Sequence, residues 1–147
     1  MSDPFPKALT DYVAGLAAHD IEKIASTLAD ELLFISATRI LDKSEFLGML
    51  GTMYTAFPDW HYAHDGIEDR GQNNYAIMWR QGGTHTGTWN LPGMDPIEPT
   101  GKSVTIPPHY FYYRLVDDRL TIIFPEPVMG GAPRGILEQI GVKIPPL

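Results

Sequence analysis

Apolar side chains at Phe5, Ala8, Leu9, Tyr12, Val13 and Leu16 recur at three- and four-residue spacing, which predicts an amphipathic helix at the start of the chain. Asp20 is placed to cap a shorter second helix whose stripe is Ile21, Ile24, Ala25 and Leu28. Residues 32–35 and 39–41 then read as short strands. Asp42 and Glu45 form a capping-box pair ahead of a third helix with Phe46, Leu47, Leu50, Met53, Tyr54 and Phe57 on one face. Pro58 ends that helix. Gly48 and Gly51 within it predict close packing on a flat surface.

From Trp60 onward the pattern changes to strand and turn. Strands are expected at about 60–69, 74–84, 103–116 and 119–125, with turns at Gly71-Gln72-Asn73 and Asp117-Asp118. Residues 90–101 hold three prolines and two glycines and form a loop. A last helix follows Pro133, with Ile136, Leu137 and Ile140 apolar and Gly141 just beyond its end. Helices followed by a long antiparallel meander indicate an α+β fold, a strongly curved sheet wrapped around the N-terminal helices as a conical barrel. Such a cone encloses a pocket. Residues 75–79 and 110–113 lack polar–apolar alternation, so both faces of those strands should be covered. Helices would cover one face and a second subunit the other, as a symmetric homodimer.

The chain has 147 residues, the size of one domain, expected to span 1–147. Its net charge of −7, without a basic run, argues against nucleic acid and anionic membranes as partners. There is no cysteine, so disulfides, thiol catalysis and cysteine metal sites are excluded. MSDPFPK does not resemble a signal peptide, and no apolar run is long enough for a membrane helix. A cytoplasmic location is expected.

Several short patterns fail on their context. Gly101-Lys102-Ser103 is not a phosphate loop, because Pro96 stands where its first glycine is needed and a strand follows. Gly130-Gly131-Ala132-Pro133-Arg134-Gly135 lacks the strand–helix–strand setting of a dinucleotide site. His61 and His64 would project from opposite faces of a strand, so no metal site is expected. No serine sits in a nucleophile elbow. What remains is His85, His109, Tyr112, Arg114 and Glu126, set among Trp79, Trp89, Phe111 and Tyr113. Acid/base groups among aromatic rings suit a pocket for an organic ligand.

Gly83-Thr84-His85-Thr86-Gly87, then Pro99-Thr100-Gly101-Lys102 with Val104, Arg114 to Leu120 and Glu138-Gln139-Ile140-Gly141 occur in an order that resembles the SnoaL-like polyketide cyclase and ester cyclase family. Phe57-Pro58-Asp59 is similar to a further pattern of that family, and the opening helix resembles the wider nuclear transport factor 2-like superfamily. The resemblance implies a conical, cystatin-like α+β fold and cofactor-free, metal-free ring closure by aldol chemistry. It also implies an acidic side chain late in the last strand. No Asp follows Asp118, and Glu126 is the nearest carboxylate. On this reading Glu126 is the proton shuttle, while His85, His109 and Tyr12 polarise or orient carbonyls. Trp79, Trp89, Phe111, Tyr112, Tyr113 and Arg114 form the walls around a mostly apolar, carbonyl-bearing small molecule. Tyr12 also matches the oxyanion-hole tyrosine of the related ketosteroid isomerases, whose base position is taken here by Ser36. Two alternatives are a non-catalytic binding or dimeric scaffold protein, and an epoxide or ester hydrolase using Arg39, Arg80 or Arg114.

Overall fold

A computed structural model describes residues 5–37 and 39–142. Helix α1 (Lys7–Ala18) buries Ala8, Leu9, Tyr12, Gly15 and Leu16, the stripe set by its spacing. It stops at His19, which takes a left-handed conformation (φ 54°), and its imidazole Nε2–H donates to the Trp60 carbonyl at 2.6 Å. Asp20 caps α2 (Ile21–Thr27) by accepting the Lys23 N–H. Strands β1 (Leu28–Ile35) and β2 (Ile40–Leu41) precede α3 (Lys43–Ala56). The α3 capping box is complete: the Asp42 side chain accepts the Glu45 N–H and the Glu45 side chain accepts the Asp42 N–H. Gly48 and Gly51 face open space rather than a packed surface, which corrects the expectation for them.

The meander comprises β3 (His61–Ala63), β4 (Glu68–Gly71), β5 (Asn74–Thr84), β6 (Ser103–Val116) and β7 (Arg119–Pro125). The single strand expected over 60–69 is divided at Gly66, whose φ of 132° breaks the extended run. Both tight hairpins place two consecutive residues at positive φ, Gln72-Asn73 and Asp117-Asp118. That geometry matches the right-handed twist of the strands they join. The sheet order is β2-β1-β7-β6-β5-β3, with β4 also on β5. All neighbours are antiparallel except β1 and β7, which pair in parallel. The sheet curves around the helices but does not close into a barrel. Helix α4 (Arg134–Gln139) lies against β6. No helix among the described residues is long and apolar enough to cross a membrane.

Two apolar cores result. The larger lies between α1–α3 and the concave face of the sheet, with Leu9, Tyr12, Ile24, Phe46, Ile77, Trp79, Tyr113 and Ile123 among its members. The smaller packs Phe57, Trp60, Trp89, Val104 and Ile106 beneath Ile136, Leu137 and Ile140 of α4. Gln139 fastens α4 down, since its amide accepts the Thr105 N–H at 2.9 Å and donates to the Thr105 carbonyl at 2.7 Å.

Candidate functional site

Side chains on a strand alternate faces, and the register decides which of them meet. On β5, Tyr75, Ile77 and Trp79 face the helices. Their partners Tyr113, Phe111 and His109 on β6 do the same. Trp79 is the hub of this concave face. Its indole N–H donates to the Tyr113 hydroxyl at 2.8 Å. The Tyr62 ring meets it edge-on at 5.5 Å, and the His64 ring does so at 4.9 Å. Tyr12, from α1, packs edge-on against Tyr113 at 5.6 Å. Tyr113 thus meets both an indole and a second phenol. Tyr54 on α3 completes the group through a 2.7 Å bond to the Tyr62 hydroxyl, and His19 stacks on Tyr54 at 3.9 Å.

Tyr12, Trp79 and Tyr113 are at most 2% exposed. Burial disfavours a phenolate, so the phenol of Tyr54 is pushed up to about 12. The same cause raises Tyr12, Tyr62 and Tyr113. At neutral pH all four are protonated and can donate. Tyr54, Tyr62 and Phe111 are partly exposed at the edge of this core, as is His64, so the aromatic floor reaches solvent there. Two surface depressions lie elsewhere: one of about 330 Å³ lined by Lys7, Asp11, Thr27 and Asp118, the other of about 430 Å³ beside Asp30, Asp42 and Lys43.

The structure therefore brings together Tyr12, Trp79, Phe111, Tyr113 and His109. His109 is fixed by donating Nδ1–H to the Pro107 carbonyl at 2.8 Å and lies on Phe111. Tyr112 and Arg114 do not join them. The two-residue period of β6 turns both to the convex face, where Tyr112 meets Tyr110 and Phe124 and Arg114 is exposed.

His85 and Trp89 belong to the smaller core, each against Phe57, at 5.2 and 5.3 Å. The His85 ring is fixed, as Nδ1 accepts the Thr100 N–H at 3.2 Å, and it is 0% exposed. Desolvation lowers its pKa, partly offset by the Gly87 and Ile97 carbonyls. Among the described residues, neither His85 Nε2 nor Trp89 Nε1 makes a hydrogen bond of good geometry. Glu126 continues β7 past Pro125. Its N–H donates to the Tyr110 carbonyl at 2.8 Å and its carboxylate accepts the Tyr110 N–H at 3.3 Å. That carboxylate replaces a rung of the β6–β7 ladder. Among the described residues, no three His, Asp or Glu side chains are grouped to hold a metal ion.

Tyr54, Tyr62 and His64 were not among the expected site residues. Tyr54 lies on the apolar face of α3, which already signals an inward hydroxyl. Tyr62 and His64 could be placed only by pairing β3 with β5, where Tyr62 opposes Gln81 and Ala63 opposes Arg80.

The sequence profile of the SnoaL-like domain matches residues 9–123. No curated protein matches the sequence. Among solved structures, AclR of Streptomyces galilaeus, named as a hydroxylase, superposes with a TM-score of 0.72 at 19% identity, over 91% of this chain and 92% of its own. A SnoaL-like protein of Jannaschia sp. CCS1, classed with the polyketide cyclases, gives 0.71 at 14% identity, over 98% and 99%. TerC, co-crystallised with polyporic acid, gives 0.65 at 13% identity, over 91% and 95%. One fold thus carries different named reactions, so it does not by itself select one.

Proposed function

Because the chain belongs to the SnoaL-like domain family, we propose that it is a cofactor-free lyase or isomerase of the cyclase type, acting on an aromatic, carbonyl-bearing small molecule at the Trp79 face. One observation carries this reading: the buried hydrogen bond from Trp79 to the Tyr113 hydroxyl, with the Tyr12 ring packed against Tyr113. Ring closure by aldol chemistry needs a developing enolate oxygen to be stabilised without solvent. Neutral phenols held in place by an indole and by each other can do this at no reorganisation cost. Aromatic walls exclude water and suit aromatic ligands such as the polyporic acid co-crystallised with TerC. In this reading Glu126 maintains the sheet, and His85 with Trp89 maintains the smaller core.

The test uses 1-phenylhexane-1,5-dione, which closes to 3-phenylcyclohex-2-enone with loss of water and gains ultraviolet absorbance. The unaltered protein should accelerate this closure, and Tyr113→Phe should slow it by roughly 10²-fold. Equal rates for parent and Tyr113→Phe would refute the role of the phenol. A binding or scaffold function on the same fold is favoured by the burial of Tyr12, Trp79 and Tyr113, at most 2% exposed. It predicts uptake of polyporic acid, read by tryptophan quenching, with no acceleration of any closure.

The convex face supports a homodimer. Leu33, Phe124 and Val116 are 41%, 36% and 47% exposed, and Ile122 and Tyr112 lie beside them. The Arg70 guanidinium covers the Tyr110 and Tyr112 rings at 5.1 and 5.9 Å. Light scattering is expected to give a dimer mass, and Phe124→Asp a monomer. A parent monomer at micromolar concentration would contradict this.

A further inference from the structure

Trp79 stands in a row across three strands. Its cross-strand neighbour on β6 is His109. On the other side, β3 pairs Ala63 with Arg80, so the next residue, His64, comes opposite Trp79 and lays its ring against the indole at 4.9 Å. Two imidazoles therefore flank one tryptophan on the concave face, about 10 Å apart at the backbone.

Their partners set opposite tautomers. A carbonyl can only accept, so the Pro107 oxygen requires the proton on Nδ1 of His109, and in the neutral ring Nε2 is then the lone pair. A backbone N–H can only donate. Gly66 N–H at 2.9 Å therefore requires an unprotonated Nδ1 on His64 and puts the proton on Nε2. The loop that carries His64 is pinned by the bidentate ion pair of the neighbouring Asp65 with Arg80, at 3.0 and 3.1 Å. One ring thus presents an acceptor at Nε2 and the other a donor at Nε2.

We propose that His109 and His64 are a complementary pair for proton transfer at the carbon next to a ligand carbonyl, with His109 as the base and His64 as the neutral donor to the carbonyl oxygen. This rests on the Trp79 face being the ligand site, and it names the groups that would move and balance the proton there. His109 Nε2 takes the proton from the α-carbon and becomes an imidazolium. The C–H electron pair forms the new C=C bond, and the carbonyl π pair moves to oxygen, where the His64 Nε2–H holds it. For ring closure the enolate carbon attacks a second carbonyl carbon, the π pair of that carbonyl moves to its oxygen, and the alkoxide takes the proton back from His109. Return of the proton from His109 to a different carbon gives an isomer. A neutral imidazole serves better than a cation for the donor, because it stays in place without competing for the proton.

The experiment follows loss of α-proton signals of 2-tetralone in deuterated buffer by NMR, against the buffer rate. Asparagine reproduces the Nδ1 position of histidine and glutamine reproduces Nε2. His109→Asn keeps the bond to Pro107 but has no base, and should lower the exchange rate by about 10²-fold or more while 2-tetralone still binds. His64→Gln keeps a donor at the outer position and should retain most of the rate. His64→Asn keeps only the bond to Gly66 and should lose about 10-fold or more. A purely structural role gives the reverse order for His64 and no loss for His109→Asn, and either result overturns the pair. If both histidine variants exchange at the parent rate while Tyr113→Phe is slow, the pair is wrong and the ligand face stands. If the unaltered protein neither binds 2-tetralone nor speeds its exchange, both fall together.

Discussion

The protein is expected to unfold cooperatively as the pH rises from 10.0, the ordinary value of a tyrosine phenol, towards about 12. Tyr54 is raised between those two values in the folded state, chiefly by burial. A raised folded pKa means that the unfolded chain ionises first. The stabilisation is complete below the unfolded value and is lost as the pH climbs to the folded one. Each pH unit is worth about 1.4 kcal/mol, so Tyr54 alone contributes about 3 kcal/mol. Tyr12, Tyr62 and Tyr113 are raised as well, and their losses add in the same direction. A domain of this size has only about 5–15 kcal/mol in total. The share of tyrosinate absorbance contributed by these four phenols should therefore appear together with the loss of near-ultraviolet circular dichroism in one step, and Tyr54→Phe should move the midpoint to higher pH. Gradual ionisation near the ordinary value, with the fold intact, would show that the phenols are not enclosed as described.

Gly87→Ala should be a strongly damaging small substitution. A Cβ there would run into the Thr55 carbonyl, and backbone cannot step aside as a side chain can. The Gly87 and Thr86 N–H groups both donate to the Ala56 carbonyl, so the loop has no freedom to retreat from the end of α3. The expected cost is about 3 kcal/mol, or roughly 10 °C in melting temperature for a chain of this length. Gly48→Ala is the control. Nothing lies within 4 Å of a Cβ at that helical position, so it should stabilise by about 0.5–1 kcal/mol. Calorimetry that found the two equal would rule out the close approach at Gly87.

The patterns that made the family legible turn out to build a joint rather than the candidate site. The Asp59 carboxylate accepts the Thr84 N–H at 2.7 Å, His85 accepts from Thr100, Gly87 abuts α3, and Gln139 holds Thr105. These contacts need a particular residue type at a fixed place in the chain, which is why they leave a readable order. The group around Trp79 is ordinary in composition. Tyrosines and histidines within apolar strands carry no local signature of partnership, and only the pairing of β3, β5 and β6 assembles them.

Local chemistry determined the elements. Apolar spacing set α1 and α3, Asp42 and Glu45 set where α3 begins, and Gln72-Asn73 and Asp117-Asp118 set the two tight hairpins, because each depends on atoms a few residues apart. The tertiary structure decided what depends on register and on distant strands. It paired β1 with β7 in parallel, left the sheet open, and divided the first meander strand at Gly66. It also sent Tyr113 inward and its neighbours Tyr112 and Arg114 outward, and enclosed His85 against Phe57. Strand side chains alternate with a period of two, so a shift of one residue exchanges the faces. Where both faces carry aromatic residues, the sequence holds no preference between them, and the choice falls to the helices and strands that pack alongside.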